Sequence, residues 1–171
     1  MRTSEMQISE QIGTQFTFEN FNVTPQNRDA FEKAGRFAED SRAKPLYLTG
    51  GYCMGKTHLL FAVRNAILRL RPDCRVILTD AKLLCEEMVH TLTEHQSLEL
   101  LYEKYRSADV LLIDDIQLLA GKEMTQKEVI RLLNALYESG RQIMLTASGS
   151  GEQLDKRLCA EGFSGEAVSV G

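Results

Sequence analysis

The chain has 171 residues, of which 43% are hydrophobic and 26% charged, and its formal net charge is −4. That length and composition suit one globular domain with a core of its own. A net negative charge does not imply a general electrostatic grip on nucleic acid, so any such contact needs a local basic patch. No apolar run approaches membrane-spanning length, and the polar opening Met1–Gln7 offers no signal core. The expected compartment is cytoplasmic, with no membrane partner. Cysteines stand at 53, 74, 85 and 159 and form no C-x-x-C pair, which suits neither zinc nor a disulfide scaffold. Cys74, Cys85 and Cys159 are expected to be reduced, partly buried small residues.

Residues 1–14 are polar and read as a flexible N-terminal segment, leaving 15–171 as the folded core. Phe16, Phe18 and Phe21 lie close together, a pattern that fits either an edge strand or an aromatic anchor. Residues 26–39 read as a helix with Ala30, Phe31, Ala34 and Phe37 along one side. Lys44-Pro45 leads into a strand over 46–49.

Gly50 to Thr57 reads G-x-x-x-x-G-K-T, set between that strand and a helical pattern. This is the context of a phosphate-binding (Walker A) loop. Successive backbone N–H groups of Gly50, Gly51, Tyr52, Cys53, Met54 and Gly55 would form an anion nest, reinforced by the positive end of the following helix. Lys56 would reach the β- and γ-phosphates, and the Thr57 hydroxyl would ligate Mg²⁺. His58 continues the motif into the helix.

That helix carries the stripe Leu59, Leu60, Val63, Ile67 and Leu70 and stops at Pro72. A strand is expected over 75–79. Asp80 is placed to cap the next helix, whose apolar positions include Leu83, Leu84, Met88, Val89 and Leu92. A second helix follows over 97–106, and His90 and His95 around this connection read as surface residues. Asp109-Val-Leu-Leu-Ile-Asp-Asp115 is an apolar run ending in two acids, which predicts a strand buried on both faces of a parallel sheet. Beside a Walker A loop it reads as a Walker B strand. Asp114 would hold Mg²⁺, and Asp115 would polarise the attacking water. Thr125-Gln-Lys-Glu128 reads as a capping box that opens a helix with Val129, Leu132, Leu133 and Leu136 inward and Gly140 at its end. A strand over 143–146, a short helical piece near 153–159 and a last strand over 167–170 complete the chain. Five strands alternating with helices predict an α/β fold of the P-loop NTPase type, with a five-stranded parallel sheet between helices and right-handed connections.

The sequence also resembles a known family. Phe16-Thr-Phe-Glu-Asn-Phe21 with Asn27-Arg28, Gly50-Gly51 with Gly55-Lys-Thr-His-Leu-Leu60, Tyr105 through Gln117, Ala120-Gly-Lys-Glu123 and Asn134-Ala-Leu-Tyr137 are collinear with the AAA+ (RecA-like) core of the bacterial replication initiator family DnaA. The resemblance covers about residues 15–158. It implies ATP or ADP held by Gly50–Thr57, with Phe21, Val23 and Asn27 near the base. It also implies head-to-tail assembly with like subunits or a full-length initiator, and single-stranded DNA near Val89 and Lys122. The helical insertion of the family matches 82–106.

The sequence departs from the pattern at several positions. Cys53 stands where the family usually has glycine, and a Cβ there would strain a loop that needs φ > 0. Ser148 aligns with the sensor-1 aspartate, Glu161 with the arginine finger and Met124 with an arginine at the DNA contact. The family's helical lid and helix-turn-helix domain are not expected within these 171 residues, as would hold for a fragment or for a minimal relative alike. Weak ATP turnover is therefore one expectation. Two others stand beside it: a degenerate, non-hydrolysing interaction module of the same fold, and a helicase-loader or transposition-helper ATPase, whose families are similar.

Overall fold

A computed structural model describes residues 13–94, 97–149 and 165–171. Helix α1 spans Arg28–Glu39 and leads to β1, Leu46–Thr49. Then follow α2, Lys56–Leu70; β2, Val76–Asp80; α3, Ala81–Thr93; and α4, Glu99–Arg106. Strand β3, Val110–Asp114, passes through a 3-10 turn at Ile116–Leu119 into α5, Glu123–Glu138. Strands β4, Gln142–Thr146, and β5, Glu166–Ser169, complete the sheet. All four strand pairings are parallel, in the order β2-β3-β4-β1-β5.

The sheet has helices on both faces because its central strands have no polar face. Leu111, Leu112, Ile113, Ile143, Met144 and Leu145 are all fully buried. On one face Ala30, Ala34 and Phe37 of α1 and Leu59, Leu60, Val63 and Ile67 of α2 pack against Leu48, Leu112 and Met144. On the other, Leu84 and Met88 of α3, Leu101 and Tyr105 of α4 and the Val129–Leu136 stripe of α5 pack against Leu111, Ile113 and Leu145. The expected stripes are shorter than the apolar residues suggested, since Leu70, Val89 and Leu92 are exposed.

Local signals set two of the helix ends. The Asp80 carboxylate accepts from the Leu83 N–H at 2.8 Å, capping α3 as expected. At the end of α5, Gly140 adopts φ 70°, with Gly140 N–H donating to Tyr137 O and Arg141 N–H to Leu136 O, which is a Schellman closure. The capping box is a correction. Helix α5 begins at Glu123, so Thr125 lies inside its first turn, and the Glu128 carboxylate accepts from the Tyr102 hydroxyl instead of folding back.

The Phe16–Phe21 stretch is an aromatic anchor, not a strand. Phe18 meets Phe31 edge-on at 5.5 Å, and Phe21 stacks on Phe31 at 5.7 Å. Gly13, assigned by sequence to the loose segment, is buried, and its carbonyl accepts from Asn65 Nδ2 at 2.9 Å. His90 is exposed, Cys85 is buried and Cys74 half-buried. Residues 1–12, His95, the helical piece near 153–159, Cys159 and Glu161 lie outside the described residues. No described helix is long and apolar enough to cross a membrane.

Candidate functional site

Parallel strands place the loops that follow their carboxyl ends along one edge of the sheet. Here β1 delivers the Gly50–Gly55 loop there, and β3, two strands away, delivers Asp114 and Asp115. The loop's path requires glycine at both of its ends. Gly50 sits at φ 146°, where a Cβ would meet Val170 O at 2.7 Å. Gly55, at φ 93°, is the N-cap of α2, and a Cβ there would meet the Phe21 ring at 2.8 Å. No side chain caps the first turn of α2. Cys53 lies between these glycines at φ 59°, so the sequence-level concern is realised: a side chain occupies the left-handed region.

Lys56 is the first residue of α2 and only 4% exposed. Its Nζ turns back to donate to Gly50 O at 3.2 Å and to Gly51 O. Burial pulls its ammonium below the usual lysine range, opposed by the charges of Asp115 and Asp114. One turn-side position on, Thr57 Oγ1 donates to Asp114 Oδ2 at 2.8 Å. The other carboxylate oxygen, Oδ1, accepts from Thr146 Oγ1 at the end of β4. Burial pushes the Asp114 carboxyl up, and the hydrogen bonds from Thr146 and Thr57 oppose it.

Asp115 occupies the left-handed region at φ 52°, a conformation that aspartate tolerates better than most residues. Its N–H donates to Thr146 Oγ1 at 3.0 Å, and its Oδ1 accepts from Gln117 Nε2 at 2.9 Å. Ser148 donates its N–H to Gln117 Oε1 at 2.9 Å, and its Oγ lies 3.4 Å from Asp115 Oδ1. Thr146 and Gln117 were not singled out from the sequence. The available signal was a polar residue ending a strand whose neighbour carries the acids.

A cleft of about 550 Å³ opens beside the loop, between it and the N-terminal aromatic segment. Phe21, Asn27, Cys53, Met54, His58 and Gly171 are among its walls. Its volume lies in the range of small-molecule sites. His58 is held edge-on to Phe21 at 5.1 Å, and its Nε2 is 2.9 Å from Thr17 O. The Asn27 amide is consumed locally: Oδ1 accepts from Thr24 N–H at 2.7 Å and Nδ2 donates to Asn22 O at 3.1 Å. It shapes the 22–24 turn. Val23 is half-buried and is not among the cleft's walls. Tyr52 and Met54 point their side chains outward, so what these positions can give the loop interior is backbone. Val89 on α3 and Lys122 ahead of α5 are exposed, and α3 packs against the 3-10 turn that leads towards Lys122.

The donor set fits a Mg²⁺–triphosphate. A hydroxyl and a carboxylate already converge, oxygen ligands suit a hard cation, and a buried ammonium sits inside a loop made open by glycines. Together with the strand order, this defines an α/β P-loop NTPase fold of the AAA+ class. Comparison narrows the class. The family model described as the bacterial DnaA ATPase domain matches residues 12–161, so the chain belongs to that family. The chromosomal replication initiator protein DnaA of Thermomicrobium roseum is 39% identical over 138 residues, covering 80% of this chain and 30% of that protein. The chain thus spans about a third of the curated relatives it matches. Domain III of the Thermotoga maritima initiator superposes with a TM-score of 0.81 at 33% identity, covering 90% of this chain and 66% of that one. A replication initiator DnaA bound to AMPPCP and single-stranded DNA superposes at 0.79 with 33% identity, covering 90% and 50%.

Proposed function

We propose that this chain is an adenine-nucleotide-binding AAA+ module that acts in chromosomal replication initiation or its control. The observation that carries the reading is the convergence of Lys56, Thr57 and Asp114 behind the Gly50–Gly55 loop, with Thr57 and Asp114 joined at 2.8 Å. In this reading the loop's backbone N–H groups and Lys56 hold the phosphates. Thr57 and Asp114 hold Mg²⁺, whose chemistry is to neutralise charge on the phosphate oxygens. Phe21 and His58 form an aromatic wall of the base-side cleft, which Asn27 also lines. Asp115 orients the water, fixed by Gln117 from one side. Lys56 must leave the Gly50 and Gly51 carbonyls to meet phosphate, so binding exchanges two neutral acceptors for an anion. Charge-assisted bonds of that kind are the stronger.

Membership in the DnaA ATPase domain family favours this reading over a helicase-loader or transposition-helper role. AMPPCP and single-stranded DNA in the related initiator support nucleotide and a single strand as ligands. Assembly with like subunits or a full-length initiator is part of the same proposal. Val89 and Lys122 are the positions offered to DNA. A second reading, a module that binds without turnover, is favoured by Ser148 at the sensor-1 position and by Cys53 in the loop. Calorimetry with ATPγS and Mg²⁺ tests the first. The reading expects a Kd of roughly 1–10 μM, lost in Lys56→Ala. No heat at millimolar nucleotide, or equal binding by Lys56→Ala, would overturn it. Turnover measured on the same samples then separates a weak ATPase from the non-hydrolysing module.

A further inference from the structure

We propose that Thr146 is the positioning residue for the acid pair at the end of β3, with one hydroxyl setting both carboxylates at once. Thr146 Oγ1 donates to Asp114 Oδ1 and accepts the Asp115 N–H at 3.0 Å. A hydroxyl has one donor and two acceptor sites, so the same atom serves both bonds without conflict. Valine, with the same shape, could make neither. Thr146 is fully buried at the carboxyl end of β4, directly between β1 and β3, so it is a rigid reference point for both neighbouring loops.

The two bonds have different consequences. The bond to Asp114 occupies Oδ1 and leaves Oδ2 beside Thr57 Oγ1, the pair of oxygens that would hold the cation. The bond from the Asp115 amide anchors the chain where it enters the left-handed region, at φ 52°. That turn directs the Asp115 side chain back to Gln117 and Ser148. Loss of the hydroxyl would therefore release the Asp114 carboxylate and the Asp115 backbone together. Among the described residues, Thr57 bonds Asp114 alone and Gln117 and Ser148 bond Asp115 alone; Thr146 is the side chain that bonds both. The metal-facing role rests on the nucleotide reading above. The hold on the backbone does not.

The test compares Thr146→Val, which removes the hydroxyl, with Thr146→Ser, which keeps it. Two measurements separate the possibilities. The first is amide hydrogen exchange at Asp115 in the protein without nucleotide. Thr146→Val is expected to exchange roughly tenfold faster there, the equivalent of one hydrogen bond, while amides in the core of β3 and α2 hold their protection. Thr146→Ser is expected to match the parent. The second is the ratio of ATPγS affinities in Mg²⁺ and in EDTA. Thr146→Val is expected to lose most of the gain that Mg²⁺ gives and to keep its affinity in EDTA, whereas a merely structural defect would lower both. Thr146→Ser restores the gain. Parental exchange and a parental Mg²⁺ ratio in Thr146→Val, or a Thr146→Ser that behaves like Thr146→Val, would overturn the proposal. Should Thr146→Val not fold, Thr146→Cys takes its place in both measurements. A parent that takes up no nucleotide removes the nucleotide reading, and the exchange comparison then decides the positioning role by itself.

Discussion

Cys53→Gly should stabilise this protein, although it removes a side chain and adds backbone freedom. Cys53 is exposed, so its thiol contributes little packing, and it sits at φ 59°. An L-residue in the left-handed region costs about 1–2 kcal/mol relative to the right-handed one. Glycine removes that cost but loses more entropy on folding, about 0.5–1 kcal/mol. The difference leaves a net gain of roughly 0.5–1 kcal/mol, which for a domain of this size is about 1–4 °C in Tm. Thermal unfolding of Cys53→Gly beside Cys53→Ala measures it. Alanine keeps the Cβ and therefore the strain, so it should melt with the parent. If Cys53→Ala rises as much as Cys53→Gly, the thiol and not the backbone is responsible. If Cys53→Gly melts lower than the parent, the left-handed cost has been overestimated and the loop argument fails.

Three further outcomes follow from the packing and charge. Burial raises the Asp114 carboxyl above its ordinary value of 3.8. A raised carboxyl stabilises the fold below that value, and the contribution is lost as pH rises through the folded value, so at neutral pH the charge is a cost. Asp114→Asn should therefore raise Tm at pH 7 in the absence of nucleotide while abolishing any effect of Mg²⁺ on nucleotide affinity; paired melts and titrations read both. Desolvation and the Glu128 hydrogen bond push Tyr102 up to about 12, and burial also raises Tyr105. The protonated phenols favour the fold, so their contribution is whole below pH 10 and falls as pH rises towards 12. Chemical denaturation at pH 9 and pH 11 should show that decline, and Tyr102→Phe with Tyr105→Phe should flatten it. Asp80→Ala removes the bond to the Leu83 N–H and should cost about 1 kcal/mol in urea denaturation, with Asp80→Asn recovering most of it.

Much of the fold was legible because its strongest signals are local. Four apolar residues before two acids specify a doubly buried strand, and a glycine-bounded loop between strand and helix specifies a turn that few other sequences make. Asp80 and Gly140 act on the backbone within a turn of themselves, so their caps could be read one residue at a time. The capping box failed for the opposite reason. Its Glu128 is drawn to Tyr102, 26 residues earlier in the chain, and no window around Thr125 contains that partner. The strand order and the choice of an aromatic anchor over an edge strand depend in the same way on distant neighbours, here Phe31 and His58. Within the candidate site, the loop and the two acids could be found from their spacing. Thr146 and Gln117 could not, because their importance comes from lying across the sheet from Asp114 and Asp115.

The central claim is that the turn from Gly50 to Thr57 wraps a triphosphate despite the thiol-bearing residue in its middle. A crystal structure grown with saturating ATPγS and Mg²⁺ addresses it most directly. The account predicts phosphate oxygens on the loop amides, Lys56 Nζ moved from the Gly50 and Gly51 carbonyls onto them, and a metal between Thr57 and Asp114. A loop without nucleotide, with Lys56 still bonded to those two carbonyls, would contradict it.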